Sequence, residues 1–261
     1  MAIKPKIDLA FACDTGCVRT NNEDSFKYLD EGNDFWACVA DGCGGEAAGE
    51  IASRISVDVF AEEVSKNRNS GRDISFVLRD AVVKANKTIL EASLEEGREG
   101  MGTTFSSIYI RGRNAVIAHA GDSRIYRKRE GKFEQLTDDH TWVEAQVRAG
   151  KISKSDAENH PNSGLLMRAL GMPDFKAPDI SFIDCVEGDA FLLSTDGLHR
   201  VLTMSDISNY MDMEPAKAVN EMIALSLKRG APDNVTIIFF KILKFERIEE
   251  QTLFELEGHN T

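Results

Sequence analysis

Apolar and polar residues along this chain fall into short runs of two kinds. Residues 8–13 and Phe35–Ala40 are nearly continuous apolar stretches bounded by polar turns, the pattern of strands. Glu46–Lys66 follows with Ile51, Ile55 and Val59 at helical spacing, so the order predicted is strand, glycine turn, helix. A second helix is predicted from Asp73, with Val77, Ala81, Ala85 and Ile89 on one face and the glycines at 97, 100 and 102 ending it.

The middle of the chain reads as β-structure. Thr104–Ile110, Ala115–Ala120, Arg124–Arg127 and Lys132–Leu136 are separated by turn-forming segments at hairpin spacing, which predicts a meander. Residues 141–177 break this rhythm. A short helix with Val143 and Val147 closes at Gly150, Ser155 to Glu158 reads as a capping box, and Pro161, Pro173 and Pro178 punctuate the remainder. This segment is expected to be an excursion from the sheet. Strands are then predicted at 179–185 and 190–195, helices at 204–212 and 215–229, and a last strand from Val235 to Leu243. Hairpin-linked strands outnumber the helices, and the helices between non-adjacent strands can cover the sheets. The fold class expected is α+β, in layers around antiparallel sheets.

Bulk properties narrow the functions. With 261 residues, 42% hydrophobic and 28% charged, one compact domain over residues 1–243 is expected, with 244–261 a charged tail or peripheral helix. No apolar run of about 18 residues exists to span a bilayer and the first residues lack a secretory signal, so a cytoplasmic protein with no membrane partner is expected. A formal charge of −12 argues against nucleic acid, whose binding depends on Lys and Arg neutralising phosphates. The five cysteines are unevenly spaced and read as reduced thiols.

The chemistry is written at strand ends. Three apolar runs lead into an aspartate beside a glycine, at Asp41-Gly42, Gly121-Asp122 and Asp196-Gly197, and Asp233-Asn234 stands just before the last strand. Each alone is an ordinary turn signal. Together, at the ends of buried strands, they can converge. Two carboxylates 4 Å apart repel by about 4 kcal/mol at an effective dielectric near 20, so a converging set needs cations. Oxygen ligands of this kind suit Mg²⁺ or Mn²⁺. Two such ions can hold a bridging water, acidify it toward a pKa of ~7 and orient it for in-line attack on phosphorus. Arg19, four positions before Glu23-Asp24, is the candidate clamp for phosphate oxygens.

Eight segments then resemble, in order, the metal-dependent protein phosphatases of the PPM or type 2C family, in its bacterial serine/threonine branch. They are Arg19–Asp24, Ala40–Gly45 with Gly49, Met101–Thr104, Gly121–Arg124, Leu136–His140, Met167–Gly171, Ser194–Leu198 and Pro232–Thr236. The resemblance implies two central antiparallel sheets flanked by helices, a four-layer α/β/β/α sandwich, with residues 141–177 as a flap beside the site. It implies that Asp41 bridges two tightly bound Mn²⁺ or Mg²⁺ ions, that the Gly42 carbonyl ligates one, and that Asp196 and Asp233 ligate the other. It places Asp122 with Asp196 on a weaker third ion, Glu23 and Asp24 on metal-bound waters, with Asn234 beside them, and Arg19 on phosphate. Its activity is hydrolysis of phosphoserine and phosphothreonine, opposing a cognate kinase in bacterial signalling, with phosphorylated proteins as partners and the chain a monomer. Animal relatives carry a histidine after the Asp-Gly; here Cys43 stands there, which leaves Cys43, His140 and His160 as candidates for acid or flap roles.

Other readings compete. Cys13 and Arg19 reproduce the spacing of a cysteine-dependent phosphatase loop, but Thr20–Ser25 is poor material for the helix such a loop requires. Cys13, Cys17, Cys38 and Cys43 can be drawn as a zinc site, although Cys38 falls inside a buried strand. His119, also inside a strand, reads as a core histidine. An inactive phosphoprotein-binding module of the same fold would be marked by a lost metal aspartate, and none is lost.

Overall fold

The computed structural model describes residues 3–43, 48–158 and 160–247, with the side chain of residue 158 left out. Eleven strands and seven helices are described, and every strand pairing is antiparallel. One sheet has the order β1 (Ile3–Asp14), β11 (Val235–Arg247), β10 (Ala190–Ser194), β7 (Arg124–Arg129), β8 (Lys132–Gln135). The other runs β2 (Asp24–Glu31), β3 (Asp34–Cys43), β5 (Phe105–Arg111), β6 (Asn114–Ala120), β9 (Asp179–Asp184), with the two-residue β4 (Gly102–Thr103) added to β3.

The continuous apolar runs are explained by burial on both faces. In β3, Phe35, Ala37 and Val39 enter a core between the sheets while Trp36, Cys38 and Ala40 face a second core under α1 (Ala48–Asn67) and α2 (Ile74–Ala92). In β11, Ile238, Phe240 and Ile242 join the inter-sheet core. Val235, Ile237 and Phe239 pack instead beneath α6 (Met204–Tyr210) and α7 (Pro215–Lys228). The rings of Phe35 and Phe240 meet across the sheets with centroids 4.6 Å apart. Two sheets face to face with helices outside make the expected α/β/β/α sandwich.

Several local expectations change. The strand β2 has no clear signature in the sequence, because as an edge strand it contributes little to either core: Phe26 goes to one and Leu29 to the other. The predicted meander is two hairpins in different sheets. Residues 121–123 carry the chain from β6 in one sheet to β7 in the other. On α1 the deepest side chains are Phe60, Val64 and the small residues Ala52, Ser53 and Ser56, which let the helix approach the sheet, while Ile51, Ile55 and Val59 lie at its margin. Residues 244–247, read as the start of a tail or helix, continue β11 and pair with Ile3–Lys6; residues 248–261 lie outside the described ones.

The excursion carries α3 (Trp142–Arg148), capped by Thr141, and α4 (Lys154–Glu158). The cap of α4 is Ser153 paired with Asp156; the expected box of Ser155 with Glu158 rests on a side chain outside the described ones. Its ends are fastened to the body by Met167 N–H to His140 O at 2.8 Å and Leu170 N–H to Thr103 O at 2.9 Å.

Candidate active site

The strand ends beside which the aspartates stand all reach one edge of the sandwich. Asp41, near the end of β3, lies opposite Asp24 at the start of β2. Asp196 follows β10 at the first position of α5 (Asp196–His199), Asp233 precedes β11, and Asp122 sits on the crossing between the sheets. Asp41, Asp122, Asp196 and Asp233 border a cleft of about 710 Å³ lined also by Arg19, Glu23, Gly42, Cys43, Leu166 and Arg200.

Main-chain bonds hold this floor. Asp41 N–H donates to Thr104 Oγ1 at 2.9 Å, and Asp41 O accepts from Thr104 N–H and from the Thr103 hydroxyl, both at 2.9 Å. Gly42 N–H donates to Glu23 O at 3.1 Å, and Gly42 packs so tightly on Gly49 that no side chain fits there. Asn234 pins the Arg19 loop. Its Nδ2 donates to Thr15 O and Asn21 O, each at 2.9 Å, and its Oδ1 accepts from Glu23 N–H at 2.9 Å.

The electrostatics are those of crowded anions. Burial, then the charges of Asp196 and Asp24, hold the Asp41 carboxyl well above the usual range. Asp122 is pushed up to about 7 by burial and then Asp196. Asp24 reaches about 7 chiefly through burial. Asp196 is raised chiefly by burial, against the charge of Arg200. Asp24 Oδ1 and Asp196 Oδ1 are buried without a hydrogen-bond partner. Such atoms are costly unless a proton or cation meets them, and an all-oxygen donor set fits Mg²⁺ or Mn²⁺. Among the described residues no three acidic, histidine or cysteine side chains are already set around one ion position. Two arginines answer part of the charge instead. Arg19 grips Asp233 with Nε on Oδ1 and Nη2 on Oδ2, both at 3.0 Å. Arg200 pairs with Asp196 and lies 3.5 Å from Asp233 Oδ2.

Not every candidate belongs here. His140 and His160 do not line the cleft. His140 Nδ1 accepts from Gly121 N–H at 3.1 Å and Nε2 donates to Asp179 Oδ2 at 3.0 Å, so it ties the excursion's root to the inter-sheet crossing. His160 lies against Trp142 with ring centroids 5.0 Å apart. His119 is a core residue, bonded to Ser106 and to Asp138 O, with its pKa lowered to about 4 by burial. Cys43 does line the cleft, and burial pushes its thiol up to about 11, so it is a neutral group at pH 7. Cys13 lies outside the cleft, its thiol raised by burial and followed by a turn instead of a helix, which removes the basis of a cysteine nucleophile. Cys38 is buried inside β3 and cannot join a zinc site. The motifs did not single out Arg200. The signal was present: a basic residue one helical turn after a buried aspartate.

The chain belongs to the protein phosphatase 2C family, whose profile matches residues 18–236. The serine/threonine protein phosphatase PstP of Mycobacterium tuberculosis is 35% identical over 243 residues, which is 92% of this chain and 46% of PstP. The chain therefore spans about half the length of that relative. Protein phosphatase PhpP of Streptococcus pneumoniae is 30% identical over 235 residues, covering 88% of this chain and 96% of PhpP. The crystal structure of the PstP catalytic domain in complex with two manganese ions superposes with a TM-score of 0.81 at 32% identity, over 94% of this chain and all of that one. No helix among the described residues is long and apolar enough to cross a membrane.

Proposed function

We propose that this chain is a metal-dependent serine/threonine protein phosphatase that uses two Mn²⁺ or Mg²⁺ ions held by Asp41, the Gly42 carbonyl, Asp196 and Asp233. One observation carries the reading: Asp41, Asp122, Asp196 and Asp233 are brought from four separate strand ends to one cleft with Arg19 at its rim. Bound divalent ions supply an acidified water as nucleophile and neutralise charge on the phosphoryl oxygens. The protein's own part is placement. Asp233 holds the Arg19 guanidinium side-on through Nε and Nη2, which leaves Nη1 for a phosphate oxygen. Asn234 keeps that loop over the aspartates, and the clamp on Asp41 by Thr103 and Thr104 fixes its carboxylate at the strand end. Glu23 and Asp24 stand behind the ligands, where they orient bound water.

The substrates in this reading are phosphoserine and phosphothreonine in proteins, phosphorylated by a cognate cytoplasmic kinase, with the chain acting as a monomer. The test is release of phosphate from phosphoserine and phosphothreonine peptides with and without chelator. Activity that disappears in EDTA and returns with Mn²⁺ is expected; hydrolysis indifferent to EDTA would refute the reading.

A further inference from the structure

A second guanidinium crosses the carboxylates. Arg200 stands one turn after Asp196, pairs with its Oδ2, and reaches to within 3.5 Å of Asp233 Oδ2. The side chain is 42% exposed, so core packing does not hold it there; the carboxylates do. Asp196 thus commits one oxygen to Arg200 while the other, Oδ1, is buried without a partner. Asp122 borders the same cleft. From the excursion, Gly164 comes close enough that a Cβ there would stand 3.2 Å from Arg200 Nη2.

On the phosphatase reading above, we propose that Arg200 is a resident cation among the cleft carboxylates and competes with a third divalent ion for Asp196. A divalent ion drawing on Asp196 would compete with the guanidinium that already pairs with its Oδ2. Arg200 also remains charged at every working pH, so it lowers the net negative charge that would draw an ion there. Binding of a third ion through Asp196 would require Arg200 to release Oδ2. Arg200 acts through Asp196 and is a positioning residue.

Calorimetric titration of the whole chain with Mn²⁺ tests this in the wild type, Arg200→Gln, Arg200→Lys and the double variant Arg200→Gln/Asp122→Ala, each first matched to the wild type by circular dichroism. Arg200→Gln is expected to tighten the weakest site about tenfold, Arg200→Lys to tighten it less because the charge remains, and the double variant to lose it. An isotherm for Arg200→Gln that overlays the wild type while both bind two ions would overturn the inference alone. A wild type that binds no Mn²⁺ would overturn the phosphatase reading with it.

Discussion

Thr195 and Asp24, which lie 171 positions apart, meet between the two sheets: the Thr195 hydroxyl donates to Asp24 Oδ2 at 2.8 Å while accepting from Thr236 N–H at 3.0 Å. The start of β2 is thereby tied to the ends of β10 and β11. Asp24 Oδ1 has no such partner, and burial lifts the carboxyl to about 7.

That shift sets a pH dependence. Asp24 titrates near 3.9 when unfolded and about 7 when folded, so between these values only the folded chain holds the proton. Its contribution to stability is complete below about pH 4 and is lost as pH rises through about 7, on the order of a few kcal/mol. His119 acts in the opposite direction: its folded pKa of about 4 lies below the unfolded ~6.5, so its contribution is lost as pH falls. The difference between wild type and Asp24→Asn isolates the aspartate. In chelator, thermal unfolding from pH 4 to 7 should decline less steeply for Asp24→Asn; parallel curves would show that Asp24 is ionised throughout.

Asp41→Asn keeps shape and removes charge. It is expected to lower turnover of a phosphoserine peptide by orders of magnitude, and in chelator to leave the melting temperature equal to the wild type or higher, since the group lost is a crowded, buried anion. Cys13→Ser, outside the cleft, should retain most activity. Steady-state kinetics and calorimetry on the two variants check both statements.

Arg19→Ala removes a clamp that binds phosphate in ground and transition states alike. The expected result is a Michaelis constant raised about tenfold or more with a smaller effect on kcat. Arg19→Lys should recover little of the loss, because a point charge cannot hold Asp233 through two nitrogens. Unchanged kinetics in Arg19→Ala would remove the residue from the phosphate site.

Gly197→Ala tests the joint between α5 and the Asp233 loop. A Cβ at Gly197 would overlap the main-chain oxygen of Asn234, and neither backbone can yield without displacing Asp196 or Asp233. Destabilisation of about 1–3 kcal/mol is expected, together with weaker Mn²⁺ binding. Denaturant unfolding and metal titration measure the two effects, and normal values for both would show that the joint is soft.

Local pattern determined a large part of this protein. The doubly buried strands β3, β10 and β11 announce themselves as continuous apolar runs, α2 and α7 as 3.6-residue repeats, and Asp41, Asp122 and Asp196 as aspartates beside glycine at strand ends. These are short-range properties, readable wherever a residue's neighbours in sequence are also its neighbours in space. Tertiary structure decided the rest. Only the packing of two sheets makes 121–123 a crossing instead of a hairpin turn, gives the edge strand β2 its place, and turns Asn234 into the pin of a loop more than 200 residues distant. His140 and Arg200 show the same division. What each does depends on which strand ends arrive beside it: Gly121 and Asp179 for the histidine, Asp196 and Asp233 for the arginine. Carboxylate repulsion acts over a few ångströms, so a charge cluster exists only where the fold closes those distances.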